Sequence, residues 1–458
     1  MTSTDLNEGH SVKDYGLSDL TPHEPIIISS NEVFENYSFP GEGTPDNPYL
    51  IENLLIESTN QTPCIYMFNT TVSFIIRNCD LSGTTGSVYS AMHLLFIENG
   101  VVEDCAIHDA ETGVTLAGSN NIIDSIHVSN CNYTGLRGLG SQTTIKNSIF
   151  YPGETQDTLL LEHANNFTLL NNTFHYQEEW FDTQIRIRLS NNTKLEDNTI
   201  ISNSIPILIT QESNCTYILN NLIQSSRKGI IIDSSLNTYI SGGRFETTGL
   251  PGSSSGIDME GAENVIVSDC LFQSSGVYSK EDTSGISIST SRFESCTFLL
   301  EDSLDIRIED CEFVYTPVQL YLGTDETLVS NNTISDTITG IYLVGMNGIV
   351  RNNTIRDCGV GINAYPASSS YRIYYNTFIN NEITAIDDGT DNIWDNGVNL
   401  GNYYLNSDPF PSDRWPVIMT QTPTGTGDFD IPMIVILIGG AAITMAIIAI
   451  VLVKLKRK

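Results

Sequence analysis

The sequence predicts an all-β fold, a parallel β-helix solenoid of about 14 coils, followed by a C-terminal transmembrane α-helix. Three observations lead to this prediction. A six-residue pattern returns along most of the 458-residue chain, no window of helical length before the C-terminal segment has a 3.6-residue period, and one long apolar run lies near the C terminus.

The six-residue pattern reads apolar, any residue, Asn or Asp, small, any residue, apolar, as in IRNCDL from position 76 and VRNNTI from position 350. Most copies lie 21 to 27 residues apart, and only the step from the copy at 293 to the copy at 308 is short. A second phrase, Gly followed by alternating apolar residues, precedes many copies, as in GIYL at 340. Such short alternating runs predict two or three strands in each turn of roughly 22 residues, which is typical of a β-helix.

The Asn residues of the pattern are predicted to be structural. Coils of a β-helix lie about 4.8 Å apart, so equivalent Asn side chains stack and can pair their amides, and Asn also tolerates the left-handed backbone of tight corners. The residues predicted to form this ladder are Asn78, Asn147, Asn171, Asn220, Asn331 and Asn352. Glycosylation is instead expected at sequons outside the pattern, namely Asn36, Asn60, Asn132 and Asn166.

The C-terminal run, 431–453, is long enough to cross a bilayer as a helix, and four of the five residues after it are basic. By the positive-inside rule the tail 454–458 stays in the cytoplasm, so the bulk of the chain is expected outside the cell membrane. The first residues show no export signal, so this topology implies a start further upstream, with a tail-anchored chain as the alternative.

The remaining boundaries follow from the pattern and the composition. The predicted segments are a flexible N-terminal segment 1–24, an N-terminal cap and first coil 25–56, the β-helix 57–389, a C-terminal cap 390–418 and a Thr/Pro/Gly stalk 419–430.

The charge balance limits the partners. Lys and Arg number 21 against 55 Asp and Glu, a formal net charge of -34. So acidic a surface repels nucleic acid, and no nucleic-acid partner is expected. It also suits divalent cations. We predict no cofactor, with calcium kept only as an open alternative, and no metal-ligand set, because the chain has no CxxC pair and its His and Met are scattered.

The opening phrase GEGTPDNPYLIENLLI (41–56) and the closing phrase NIWDNGVNLGNYY (392–404) resemble those of the NosD-like right-handed parallel β-helix family, within the pectin-lyase-like superfamily. The resemblance covers roughly 25–415 and implies a right-handed β-helix on an archaeal or bacterial surface. It leaves the function open, because the superfamily includes lyases, epimerases, adhesins and metal-assembly factors. The family's acidic, Gly-rich loop is replaced here by LNSDPFPSDRWP, so its calcium site is not implied.

One segment, QEEWFDTQIRIRL (177–189), interrupts the regular coils. Trp180 is a candidate for stacking on a sugar ring, and a second candidate platform contains Tyr365 and Tyr371. The candidate catalytic residues, should the chain be an enzyme, are Glu178, Asp182, Arg186 and Arg188. The alternative interpretation is a loop whose aromatic ring packs against the coils.

Cysteines occupy the fourth position of several copies. Because adjacent coils lie within disulfide range, Cys270 and Cys296 are a candidate disulfide, whereas the alternative is that all nine cysteines are small buried thiols.

Together these features predict a membrane-anchored extracellular surface protein, structural or adhesive, that binds a glycan or a neighbouring protein. The alternative is an anchored polysaccharide-active enzyme, a uronate lyase or epimerase, that uses a groove near Trp180 and Arg186. An enzyme should concentrate carboxylates, His and Arg within a few adjacent coils, and the sequence pattern shows no such concentration.

Overall fold

The structure is a computed structural model that describes residues 17–58, 62–86, 89–151, 153, 157–175, 183–247, 255–418 and 436–437. The chain divides into two compact units, Met1–Gly249 and Leu250–Lys458. Each unit is a parallel β-solenoid whose coils contribute strands to three faces. Counted on face 1, the described residues form nine coils in the first unit and six in the second.

Face 1 precedes the Asn corner of each coil, and its strands pair in parallel only with one another. In the first unit they are Tyr49–Glu52, Phe74–Arg77, Gly100–Glu103, Ile122–Asp124, Thr144–Lys146, Thr168–Leu170, Lys194–Glu196, Asn214–Leu219 and Leu236–Ser241. In the second unit they are Glu263–Ser268, Thr283–Ser289, Ser303–Glu309, Leu328–Ser330, Ile349–Arg351 and Arg372–Tyr374.

Face 2 follows the Asn corner. In the first unit its strands are Thr21–Pro22, Leu54–Glu57, Asp80–Ser82, Ile149–Phe150, Thr173–Phe174, Thr199–Ser202, Leu222–Ser225 and Arg244–Thr247. In the second unit they are Leu271–Gln273, Arg292–Glu294, Glu312–Val314, Thr333–Ser335, Thr354–Arg356, Thr377–Ile379, Tyr403–Leu405 and Val417–Ile418. Two long strands, Ala106–Ser119 and His127–Ser141, run from face 2 into face 3.

Face 3 completes each coil. In the first unit its strands are Ile26–Ile28, Ile65–Thr70, Met92–Glu98, Leu159–Asn165, Thr183–Arg188, Ile205–Thr210 and Lys228–Asp233. In the second unit they are Ser255–Glu260, Val277–Lys280, Phe298–Leu300, Val318–Leu320, Thr339–Leu343, Val360–Ala364 and Ile383–Asp387.

The core of each unit consists of inward side chains that repeat at the same position in successive coils. On face 2 of the second unit Phe272, Phe293 and Phe313 are fully buried. Their ring centroids lie 4.6 and 4.8 Å apart, with interplanar angles of 7° and 6°. This spacing equals the separation of neighbouring strands, so parallel stacking of the coils also stacks the aromatic rings.

The six predicted ladder residues occupy the third position of the pattern, where the backbone is left-handed. Their φ angles are between 49° and 60°, which Asn tolerates better than most residues. Asn78 is half-buried and the other five are exposed. Some of them do pair: Asn171 donates to Asn147 Oδ1 at 2.9 Å. The third position therefore turns the chain and forms an outer row of amides.

The buried ladder lies one residue further along, at the fourth position. In the first unit Asn172 donates to Asn198 Oδ1 at 3.1 Å, and Asn198 donates to Asn221 Oδ1 at 2.9 Å. In the second unit the same contact joins Asn332 to Asn353, Asn353 to Asn376 and Asn376 to Asn402. This position points into the coil, so its amides need protein partners, whereas third-position amides face water.

The short step between the copies at 293 and 308 has a structural explanation. Phe293 lies on face 2 beside Phe272, so FESCTF crosses a different corner from the other copies of the pattern. The face 1 strand Thr283–Ser289 pairs with Ser303–Glu309 and brings Ile288 beside Ile308. The copy at 293 therefore marks the corner between face 2 and face 3, and predicting an Asn corner there was wrong. The Asn corner of that coil follows Ile288.

The two ends of the described chain are closed by aromatic side chains. Near the start, Phe34 in the 3-10 helix Asn31–Asn36 is buried and stacks on Tyr49 at 4.6 Å. Near the end, Trp394 is fully buried, contacts Phe410 at 4.3 Å and donates to Asp387 Oδ2 at 2.7 Å. Such contacts cover core that the terminal coils would otherwise expose.

The predicted transmembrane segment 431–453 lies outside the described residues except for Ile436–Leu437, which pair antiparallel with Val417–Ile418. Among the residues that are described, no helix has the length and apolar character needed to cross a membrane.

Candidate functional site

The candidate site is the outer surface of face 3 in the first unit, where one outward position repeats from coil to coil. The Cα partners along this position are Tyr66, His93, Thr115, Arg137, Leu160 and Arg186. Their neighbours in sequence point into the core, because side chains alternate along a strand. Face 3 thus carries aromatic side chains on its first coils and charged side chains on later ones.

The aromatic part, here called the aromatic platform, consists of Tyr66, Phe68, Tyr89, His93 and Phe96. Tyr66 and His93 stack with centroids 5.7 Å apart and Tyr89 meets His93 edge-on at 5.4 Å. Phe68 and Phe96 form a second edge-on pair at 5.6 Å, and Phe96 is 64% exposed. Large rings that remain exposed and mutually braced form a rigid apolar surface at little entropic cost.

His93 contributes an uncharged ring to this platform. Burial lowers the pKa of its imidazole, so the ring is neutral at neutral pH. A neutral imidazole stacks on Tyr66 without repelling a cationic or neutral ligand. The platform therefore has no charge of its own.

The charged part, here called the ion-pair cluster, consists of Arg137, Asp157, Glu162, Arg186 and Arg188. Arg137 Nη2 lies 2.6 Å from Glu162 Oε2, and Arg188 also contacts the Glu162 carboxylate. Arg186 Nε donates to both oxygens of Asp157 at 2.9 and 2.7 Å. Asp157 and Glu162 are buried, at 6% and 7% exposure, so these contacts are shielded from solvent.

The two arginines around Glu162 favour its ionised form. Burial raises the pKa of Glu162, but the hydrogen bonds from Arg137 and Arg188 outweigh burial and the net shift is downward. A glycosidase needs one carboxylic acid that stays protonated near neutral pH. With its pKa lowered, Glu162 is not suited to that general-acid role.

Only part of this cluster is predicted from the sequence. Arg186 and Arg188 are in it, but Glu178, Trp180 and Asp182 lie outside the described residues. The carboxylates Asp157 and Glu162 were missed, so the sequence pattern did not show that carboxylates and Arg, as expected of an enzyme, are concentrated here within three adjacent coils. Glu162 lies two residues after the outward Leu160, so following the strand alternation one step further would have found it.

Of the two tyrosines in the second predicted platform, only Tyr365 is exposed. Tyr365 is 41% exposed and stacks on Tyr342 with centroids 5.9 Å apart. Tyr371 is fully buried, which raises the pKa of its phenol. A Cβ on Gly348 would lie 2.2 Å from the Tyr371 ring, so the ring packs directly against that backbone. The prediction of Tyr371 as a ligand-binding residue was wrong, because the residue belongs to the core.

The two cysteines of the candidate disulfide, Cys270 and Cys296, lie at different corners of the solenoid. Cys270 N donates to Ser291 Oγ in the next coil, whereas Cys296 N donates to Thr316 Oγ1. The side chains thus follow separate rows, one at the Asn corner and one at the corner after face 2. The two sulfurs are thiols in the structure, and Cys296 donates to the carbonyl of Phe272 at 3.4 Å. The disulfide remains a prediction.

The predicted glycosylation sites differ in exposure. Asn36 and Asn166 are exposed, Asn132 is half-buried and donates to Glu111 Oε2 at 3.4 Å, and Asn60 lies outside the described residues. Modification at these sites remains a prediction.

These features define a parallel β-solenoid with aromatic and charged side chains on one outer face. A family model described as "Periplasmic copper-binding protein (NosD)" matches residues 47–239 and 216–410. The chain therefore belongs to the NosD family of right-handed parallel β-helix proteins. Nevertheless, the described residues contain no group of three or more His, Cys, Asp and Glu side chains placed to hold a metal ion, so they do not fit a copper centre of that kind.

Solved structures share the architecture at low identity. PfbA, a surface adhesin of Streptococcus pneumoniae, is 14% identical with a TM-score of 0.38, and the match covers 84% of this chain and 94% of that one. The tailspike protein of E. coli bacteriophage HK620 is 11% identical with a TM-score of 0.41, covering 80% and 69%. DFA-IIIase from Arthrobacter chlorophenolicus A6 is 10% identical with a TM-score of 0.35, covering 67% and 85%. No curated protein matches the sequence.

Proposed function

We propose that this chain is a membrane-anchored surface protein that binds a polysaccharide without cleaving it, on face 3 of its first unit. The segment 431–453 is the proposed anchor, and the acidic bulk of the chain lies outside the membrane. The family description places NosD proteins in the periplasm, which agrees with an exported chain.

The observation that carries the proposal is that the aromatic platform and the ion-pair cluster occupy the same outward face. Tyr66 and His93 offer a flat surface for the C–H face of a sugar ring. Two coils beyond His93, Arg137 keeps a half-exposed guanidinium while it is held by Glu162. Its remaining N–H groups can donate to sugar hydroxyls. Successive coils would then meet successive sugar units of one chain.

The test is binding of the full-length protein to a panel of neutral and acidic polysaccharides, with product analysis in the same samples. We expect saturable binding without chain cleavage, and at least a tenfold weaker affinity for the double variant Tyr66→Ala, His93→Ala, since tenfold corresponds to about 1.4 kcal/mol.

The matched control is the double variant Tyr217→Ala, Tyr239→Ala. These tyrosines also stack, with centroids 5.0 Å apart, but they lie on face 1 of the same unit. The control should bind like the unmodified protein. Equal losses in both variants would contradict the platform, and cleavage products that disappear in Arg186→Ala would show an enzyme instead.

A further inference from the structure

A depression of about 340 Å³ lies on the outer surface of face 1 in the second unit. Its lining includes Arg307, Glu326, Leu328, Ile349 and Arg351. It is on a different face and in a different unit from the aromatic platform. Nothing in the proposed polysaccharide site uses it.

The strand register explains how this lining arises. Arg307, Leu328, Ile349 and Arg372 are Cα partners on four successive strands and share one outward position. Arg351 follows Ile349 by two residues on the same strand and so points to the same side. Leu328 and Ile349 therefore form an apolar floor. Arg307 and Arg372 lie at its two ends, and Arg351 lies along one edge.

The arginines of this surface lack strong carboxylate partners. Arg351 is half-buried, forms no ion pair within the described residues, and its Nε is buried without a hydrogen-bond acceptor. Arg372 likewise has no ion pair there. Within the described residues Arg307 has only Asp305 as an ion-pair partner, at 3.6 Å, and both side chains are more than half exposed, so solvent weakens this contact.

This lack of partners is unusual for this chain. With 55 acidic residues against 21 basic ones, carboxylates are plentiful, and arginines elsewhere are paired, such as Arg292 with Glu312 and Arg414 with Asp395. Within the described residues no carboxylate holds the guanidinium of Arg351, so it is available to an anionic ligand.

We propose that this depression binds an organic anion with one carboxylate or sulfate group on an apolar frame. The guanidinium of Arg351 matches the two oxygens of such a group, and Arg307 adds a second positive charge. Leu328 and Ile349 contact the apolar frame. Glu326 at the rim repels polyanions, so the site selects a ligand with a single negative charge. Because the whole chain is strongly acidic, binding of an anion depends on short-range contacts.

The test uses cyclohexanecarboxylate as the probe, with ligand-observed NMR on the full-length protein. We expect saturable binding, and at least tenfold weaker binding of both cyclohexanecarboxamide, which lacks the charge, and acetate, which lacks the ring. Equal binding of the carboxamide and the carboxylate would overturn the proposal. Methyl glucuronide compared with methyl glucoside shows whether a sugar can carry the anion.

Two variants locate the site. Arg351→Gln and the more exposed Arg307→Gln should each weaken binding of the probe, the first by at least tenfold and the second by at least threefold. Arg292→Gln removes the same charge on face 2 of the same unit and should leave binding unchanged. If Arg292→Gln weakens binding as much as Arg351→Gln does, the effect is one of net charge and the site is disproved. If Arg351→Gln does not fold, Arg307→Gln against Arg292→Gln decides.

The outcome is independent of the proposed polysaccharide site. The variant Tyr66→Ala, His93→Ala should bind the organic anion as the unmodified protein does. Failure of one proposal is thereby distinguished from failure of the other.

Discussion

Asn353 donates one side-chain N–H to Oδ1 of Asn376, at 2.9 Å, and the same amide nitrogen lies 2.9 Å from the carbonyl oxygen of Val329. The contacts connect three successive coils through one buried side chain. Its neighbour Asn352 is the same residue type but is exposed, and its φ is 56°. Two adjacent Asn residues thus have opposite roles, one in satisfying buried backbone and the other in turning the chain.

Replacing Asn353 by Ala should lower the free energy of unfolding by about 2–3 kcal/mol, because the carbonyl of Val329 and the amide oxygen of Asn376 lose a donor while staying buried. Urea denaturation followed by circular dichroism measures the change. The control Asn352→Gly should lie within about 0.5 kcal/mol of the unmodified protein, since Gly adopts positive φ freely. If Asn352→Gly were the more damaging change, the ladder would lie in the outer row.

The contrast between these two residues also shows what the sequence could predict. Repeat length, apolar alternation and Asn-rich corners are local properties, so they indicated a parallel β-helix and the position of its corners. Which of two neighbouring amides points inward depends on the backbone of the corner, and Asn-Asn reads the same in either case. The ladder was for that reason predicted one residue too early.

The candidate site was harder to predict because its residues come from different coils. Arg186 and Asp157 are 29 residues apart and meet only when successive coils stack. The burial of Tyr371 likewise depends on the absence of a side chain at Gly348, in the preceding coil. Such contacts follow from strand register, and a corner assigned wrongly, as at Phe293, places the residues of that coil on the wrong face.

The contacts of His108 predict a pH-dependent stability of the first unit. Its Nε2 lies 2.9 Å from Asp80 Oδ1 and its Nδ1 lies 2.7 Å from Asp109 Oδ2. Burial lowers the pKa of the imidazole, but the hydrogen bonds to the two carboxylates outweigh burial and raise it. A raised folded-state pKa stabilises below the unfolded value of about 6.5, and the stabilisation disappears as pH rises through the folded value.

Thermal unfolding between pH 6 and pH 9 should therefore show the unmodified protein losing stability relative to His108→Gln as pH rises. His93 and His175 have pKa values lowered by burial, so they contribute with the opposite sign, on the acid side of this range. Because both proteins contain them, their effects cancel in the comparison. A constant difference between the two proteins across the range would show that His108 is not charged when it contacts Asp80.

Substitutions of Tyr371 and Tyr365 should differ in their effect on stability. Tyr371→Ala removes a fully buried ring and should cost about 3–5 kcal/mol, whereas Tyr365→Ala removes an exposed ring and should change stability by less than about 0.5 kcal/mol. Tyr371→Phe should cost little, because the geometry of the described residues gives the buried phenol oxygen no hydrogen-bond partner. Denaturation of the three variants provides the measurement. A large cost for Tyr371→Phe would reveal a hydroxyl contact that holds the coil.

The positions of the cysteines at the corners predict which pair can be cross-linked. Cys79 and Cys105 occupy the same corner of adjacent coils, since the backbone N–H of Ala106 donates to the carbonyl of Cys79 at 2.9 Å. Adjacent coils lie within the Cα separation that a disulfide requires. Cys270 and Cys296 lie at different corners and have Ser291 and Thr316 as their neighbours in the next coil.

Prolonged treatment of the folded protein with diamide should therefore join Cys79 to Cys105 and leave Cys270 and Cys296 reduced, as read by mass spectrometry of proteolytic peptides. The reaction should be slow, because both thiols are buried away from the reagent. Cys105→Ser is the control and should abolish the cross-linked peptide. A peptide joining Cys270 to Cys296 would instead require the two corners to approach each other, contrary to the pairing of Phe272 with Phe293 on face 2.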